Sequence, residues 1–193
     1  MDPFVYKETS MANLTITHRG TVYPWQCDHM GHMNVMWYVG KFDEASWQLL
    51  SGLGLTRARF ARDSAGMATL EQRIEYKREL RAGDIITIQS RVLEIRDKTI
   101  RLFHEMWNDG TREVAARTDI LGTYIDTTVR KACSLPSDVR ARAELMLGRE
   151  RLERTDSAVI PAGRNGEGKA APRSDAGELQ GIAQSAMAIG MCW

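Results

Sequence analysis

An acid, two histidines and a thiol share eight residues of this chain, Cys27-Asp28-His29-Met30-Gly31-His32-Met33-Asn34, and a helical pattern opens directly after them. A carboxylate just ahead of a helix start lies near unpaired backbone N–H groups and the positive end of the helix dipole. Those two features make half of an acyl-transfer site. A carbonyl oxygen resting on the N–H groups near Val35 would have its developing negative charge stabilised there. Asp28 would then either attack the carbonyl carbon or activate a water; the same carboxylate could also do no more than brace the turn. His32 is placed to orient Asp28 or the attacking water, or to fix hydrogen bonds within the loop. The spacing of Cys27, His29 and His32 matches no standard zinc site and lacks a fourth ligand, so no metal is expected. Cys27 leaves a strand without a thiolate-stabilising neighbour, which points to an inert thiol.

The elements that must hold this loop are legible around it. Upstream, LTITHRGTVYPW from Leu14 to Trp25 alternates in the manner of a strand that ends at Pro24. Downstream, Val35, Tyr38, Val39, Phe42, Ala45, Ser46 and Leu49 recur at helical intervals. Asn34 is placed as the N-cap, and Gly52 and Gly54 as the stop. Met36, Trp37 and Trp47 lie off that stripe and only Lys41, Asp43 and Glu44 are charged. The helix is therefore apolar around most of its circumference and is expected to be buried.

A short helical turn is predicted near Thr56 to Asp63. Segments 67–80, 84–97, 98–109 and 112–126 then alternate with the period of strands, joined by connections short enough to make them antiparallel neighbours. One strand, one buried helix and four more antiparallel strands predict an α+β domain, a sheet wrapped around the helix. A charged helix is predicted over 136–154. Beyond it, a Gly, Ala, Ser, Pro and Arg rich segment without period predicts a flexible tail over 155–193. Residues 1–13 read as an N-terminal arm, 14–140 as the folded domain and 141–154 as its helical continuation.

Composition narrows the partners. Lys and Arg number 26 against 25 Asp and Glu, a net charge of +1, so no overall field draws nucleic acid or an anionic membrane. No run approaches the roughly 20 apolar residues of a membrane span, and the N-terminus shows no basic-then-apolar leader. Cys27, Cys133 and Cys192 are odd in number and scattered, unlike a secreted disulfide framework. A cytoplasmic protein without nucleic-acid or membrane partners is expected.

The loop carries a further signal. Asp28-x-x-Gly31-His32-Met33-Asn34-x-x-x-Tyr38, followed by Phe42, Glu44 and Ala45, resembles the signature of the 4-hydroxybenzoyl-CoA thioesterase family of hotdog-fold acyl-CoA thioesterases. Glu71 to Asp84 is similar to that family's strand ending in a Gly-Asp turn, and Arg130, Lys131, Leu135 and Pro136 resemble its closing strand exit. The resemblance covers residues 14–140.

The resemblance implies a five-stranded antiparallel sheet curled around a long central helix, in homodimers or homotetramers. It implies hydrolysis of an acyl-CoA to the acid and free coenzyme A, with no cofactor, since coenzyme A belongs to the substrate. The catalytic carboxylate then falls on Asp28 and the carbonyl-polarising N–H on Val35, where only the amide matters. Asp43 and Glu44, two turns or more from that amide, are weak candidates. Thiols ionise near pH ~8.5, so the leaving group needs no strong general acid, and one carboxylate with one oxyanion hole can suffice.

Coenzyme A's phosphates call for Arg or Lys near the pocket mouth, which points to Lys77, Arg78, Arg81, Arg130 and Lys131. Trp25, Trp37 and Tyr38, with Asn34 at the helix start, are the expected acyl-pocket residues. Their rings suit an aryl acyl group or, through cation–π attraction, a quaternary ammonium one. Two chains are expected to pair so that one helix start faces the other's strands. The alternatives are a hotdog enoyl-CoA hydratase or dehydratase, with His32 as its proton-transfer residue, and a non-catalytic acyl-CoA-binding regulator.

Overall fold

The computed structural model describes residues 14–157, and side chains as far as 147. The predicted arm over 1–13 and nearly all of the predicted tail lie outside the described residues. β1 (Thr15–Thr21) leads through a 3-10 turn (Pro24–Gln26) and the Asp28 loop into α1 (Val35–Gly52) and α2 (Arg57–Asp63). The chain continues as β2 (Ala65–Tyr76), β3 (Ile85–Ile95), β4 (Thr99–Asn108), β5 (Glu113–Asp126), the two-residue β6 (Lys131–Ala132) and α3 (Ser137–Ser157).

Short turns pair consecutive strands antiparallel, so β3, β4 and β5 lie side by side in the order β1-β3-β4-β5-β2. β6 adds a sixth strand by continuing along β5 past the end of β4. Alternation decides which face is core. On β4, Leu102, His104 and Met106 are buried on the face toward α1, while Arg101, Phe103, Glu105 and Trp107 stand on the other.

α1 lies across the inner face with Tyr38, Phe42, Ala45, Leu49 and Leu50 turned into it. Its first half packs on Val22, Leu80, Ile86, Ile88 and Met106. Its last turn packs with Leu53, Phe60, Tyr124, Val139 and Ala143, so α2 and α3 seal the far end. Each large apolar side chain sealed in this way contributes about 1.5–3 kcal/mol. Where the two clusters meet, Ser46 of α1 hydrogen-bonds the imidazole of His104 on β4.

The expected α+β sheet-around-helix fold is present, with three corrections. In one chain the sheet covers only one side of α1, leaving Val35 57% and Met36 63% exposed at its start. β1 stops at Thr21 rather than Pro24, because Val22 turns inward and bonds the Asp84 carbonyl. β2 stops at Tyr76 rather than residue 80, because the N–H groups of Lys77 and Arg78 both converge on the Ala115 carbonyl while Leu80 buries itself against α1. Among the described residues, no helix is long and apolar enough to cross a membrane.

Candidate active site

The Asp28 loop is a tight reversal with both ends anchored. Cys27 and Met33 pair as an isolated bridge, Asp28 N–H donates to the His32 carbonyl at 3.0 Å, and Gly31 N–H donates to the Asp28 carbonyl at 3.0 Å. Gly31 has φ +81°, a left-handed conformation that glycine adopts without a Cβ penalty. Met33 N–H reaches the Leu80 carbonyl at 2.7 Å and Asn34 N–H reaches the Gln26 carbonyl at 2.9 Å. Gln26 is buried, and its side chain accepts from Tyr23 N–H at 2.9 Å, which locks the turn that delivers the loop.

At the junction with α1, most polar groups are already occupied. Asn34 is extended (φ −66°, ψ 147°); its side chain accepts from Met36 N–H at 3.1 Å and its carbonyl from Trp37 N–H at 3.0 Å. Asn34 is thus the helix cap, and its side-chain oxygen is spent on that bond. Val35 N–H, the first of the helix, has no acceptor among the described residues and sits on an exposed residue. Asp28 is half-buried; one carboxylate oxygen accepts from Met30 N–H at 2.9 Å, bracing the turn, and the other has no hydrogen bond among the described residues. The arrangement can therefore offer one carboxylate oxygen and one amide donor to a carbonyl compound, both leaving the same short ladder.

His32 makes no hydrogen bond to the Asp28 carboxylate. Its Nε2 sits 2.9 Å from Glu79, with the Arg81 guanidinium 3.5 Å away, so the ring ties the loop to the β2–β3 connection. Glu79 is a site residue that sequence reasoning missed, because a charged residue in a turn looks like ordinary solvated surface. His29 is exposed.

The expected binding residues divide. Trp25 is 68% exposed and stacks on Tyr23 with ring centroids 4.4 Å apart. Trp37 is half-buried against the first-half cluster of α1. Tyr38 is a core residue: its ring meets the edge of Tyr76 at 5.2 Å, its hydroxyl donates to the Arg78 carbonyl at 3.5 Å, and burial pushes its phenol up to about 12.

Arg81 reaches the Asp28 loop at His32, whereas Arg78 gives α1 its backbone carbonyl, at Tyr38, and turns its guanidinium to Glu113. Arg130 and Lys131 do not join them within one chain: Arg130 lies in the β5–β6 turn and Lys131 opens β6, while Arg78 faces Glu113 at the opposite end of β5. β5 has 14 residues, so that separation is about 45 Å along the strand. On the outer face of the sheet, next to Arg78, lies an open cavity of about 320 Å³. The void between α1 and the sheet near Ser46 is only about 10 Å³, room for roughly one water. Among the described residues, no cluster of His, Cys, Asp and Glu could hold a metal ion.

Residues 22–143 match the model of a protein family described as the thioesterase-like superfamily. This chain belongs to that family. Its fold is the hotdog, and its enzyme class is that of a thioester hydrolase, as the sequence led us to expect. The match is to the superfamily and not in particular to the 4-hydroxybenzoyl-CoA branch. The chain is 29% identical over 119 residues to an L-carnitine dehydrogenase/betainyl-CoA thioesterase of Agrobacterium fabrum, covering 62% of this chain and 24% of that protein. It is 22% identical over 138 residues to a betainyl-CoA thioesterase of Pseudomonas aeruginosa, covering 70% of this chain and 86% of that one. It therefore spans about a quarter of the first relative and most of the second. Among solved structures, a Staphylococcus aureus protein in complex with CoA superposes with a TM-score of 0.63 at 18% identity, over 85% of this chain and 100% of that one.

Proposed function

We propose that this thioesterase hydrolyses an acyl-CoA, with Asp28 as the catalytic carboxylate and Val35 N–H as the oxyanion donor. The observation that carries the reading is the pattern of occupancy at the loop–helix junction. Caps and turns consume the neighbouring donors and acceptors and leave these two groups unengaged. With the thioester carbonyl oxygen on Val35 N–H, a water beside Asp28 loses a proton to the carboxylate as its oxygen bonds the carbonyl carbon. Negative charge moves onto the carbonyl oxygen, where the amide and the helix dipole meet it. Collapse of that intermediate breaks the C–S bond, and the departing thiolate takes up a proton. In the nucleophilic variant Asp28 itself forms the bond to carbon and water later cleaves the resulting anhydride.

A short acyl group is the favoured choice, the void beneath the middle of α1 holding only about 10 Å³. The rings of Trp25, stacked on Tyr23, and of Trp37, in the first turn of α1, suit a quaternary ammonium head through cation–π attraction. The betainyl-CoA names of both relatives favour the same choice. Arg78 and Arg81 are the cations of the coenzyme A mouth.

A homodimer completes the site. Among the described strands β2 pairs only with β5, so its other edge is open. Two copies joined antiparallel along that edge would bring the Arg130–Lys131 end of one chain toward the Arg78 end of its mate. Such an assembly in the cytoplasm, without nucleic acid or membrane, is the setting proposed.

The test is release of free thiol from a panel of short, long, aromatic and trimethylammonium acyl-CoAs, with Asp28→Asn beside the wild type. The reading expects turnover highest on a short cationic acyl group and lost in the variant, with acyl-CoA binding retained. Product without free thiol would mean a hydratase, and binding without turnover a regulator.

A further inference from the structure

The cavity of about 320 Å³ on the outer face of the sheet is lined by Lys77, Arg78, Trp107, Glu113, Val114 and Arg117. It is separate from the loop–helix junction, yet the two share a wall. The segment from Lys77 to Leu80 hydrogen-bonds Ala115 through two N–H groups, takes the Tyr38 hydroxyl on the Arg78 carbonyl and takes Met33 N–H on the Leu80 carbonyl. Its inner side therefore supports the start of α1, while Lys77 and Arg78 turn their cations to the cavity.

Behind the cavity wall, one carboxylate fixes two of the lining groups side by side. Glu105, buried, accepts from Trp107 Nε1 at 3.1 Å and from Arg117 Nε at 2.6 Å. The indole is thereby held by its edge, half-buried in the cavity lining, and the two terminal guanidinium nitrogens of Arg117 have no hydrogen bond among the described residues. Lys77 is paired with Glu75 at 2.7 Å, and Arg78 with Glu113 at 3.4 Å. The Arg78 pair is at least half exposed on both sides, and exposed pairs of that kind are weak enough for a phosphate to displace the carboxylate. A pinned aromatic face beside three cations is the chemistry that receives a purine carrying phosphates.

We propose that this cavity binds the phosphorylated adenine nucleotide end of coenzyme A, with Trp107 as the stacking platform and Lys77, Arg78 and Arg117 as phosphate ligands. The proposal rests on the acyl-CoA reading, and it places the nucleotide on the opposite face of the sheet from the reacting carbonyl. The pantetheine arm then passes over the rim formed by Lys77 to Leu80.

The experiment compares acyl-CoA with the matching acyl-pantetheine, which carries the same thioester and lacks the nucleotide. Trp107→Leu and Lys77→Ala are each expected to raise KM for acyl-CoA about tenfold at unchanged kcat, and to leave kcat/KM for acyl-pantetheine as in the wild type. The retained acyl-pantetheine turnover is also the check that each variant folds. Equal losses on both substrates, or no loss on either, would overturn the site. If the wild type cleaves neither substrate, the acyl-CoA reading fails, and the cavity is then judged by titration with 3′-phosphoadenosine 5′-diphosphate. Saturable binding that Trp107→Leu weakens supports it, and no binding overturns it.

Discussion

His104 and His32 occupy opposite circumstances in one molecule. His104 is fully buried between the hydroxyls of Ser90 and Ser46, with Thr17 beyond Ser90. Ser46 O–H donates to the Phe42 carbonyl at 2.9 Å, so its oxygen is free to accept from Nε2–H, and Nδ1 then accepts from Ser90. Every member of that row is satisfied, and burial holds the ring neutral by pushing its pKa down to about 3. His32 stands at the surface against Glu79, beside a junction where a carboxylate oxygen and a backbone N–H have no partner among the described residues. The contrast teaches that satisfaction, not residue type, separates polar groups that hold the fold from polar groups left for chemistry.

The sharpest break of this comparison is Asp28→Asn. It keeps an acceptor for Met30 N–H and is expected to lower kcat by about 10³-fold with an unchanged thermal midpoint. A variant that still turns over at a tenth of the wild-type rate would place the chemistry elsewhere. On the sealed side, His104→Ala should cost about 3 kcal/mol in urea unfolding, because it opens a hole and leaves two buried hydroxyls short of a partner.

Val35→Pro is the complementary probe of the open side. Proline is welcome at the first helical position, the extended Asn34 is compatible with a following proline, and the one hydrogen-bonding group removed is the N–H. The expected result is a kcat lower by about 10²-fold at near-normal stability, whereas Val35→Ala should be nearly silent.

Two smaller effects concern pH and oppose each other. The unfolded chain protonates His104 near its ordinary 6.5, while the fold resists until about 3. Its contribution is whole above the unfolded value and drains as pH falls through that window, by at most about 1.4 kcal/mol per unit. Urea midpoints at pH 7 and pH 5 should therefore fall more for the wild type than for His104→Gln. Asp43 runs the other way: burial first, then Glu44, raises its carboxyl from 3.8 to about 6, so it costs stability as pH rises through that range. Asp43 is partly solvated, so Asp43→Asn should gain less than about 1 kcal/mol at pH 8 and nothing at pH 4.

The fold was legible because its signals were local and repeated. The switch from strand to helical period at Asn34, and the alternation of Ile100, Leu102, His104 and Met106, each named a face before any contact was known. What escaped had no period to show. β6 is two residues long, and the end of β2 is decided by a carbonyl on β5 about 40 residues away. At the site, Asp28, Asn34 and Val35 could be read because a helix start makes its own demands. Glu79 and Trp107 could not: their roles come from folding one surface turn against another. Arg130 and Lys131 looked equivalent to Arg78 because strand ends carry no label saying which end of the sheet they occupy.

The start of α1 has one more consequence. A donor supplied by the peptide unit is spelled by no particular letter, so position 35 can drift among side chains and reshape the entrance for new substrates while the electrophilic device persists. A conventional truncation scan would walk past it and report an empty position.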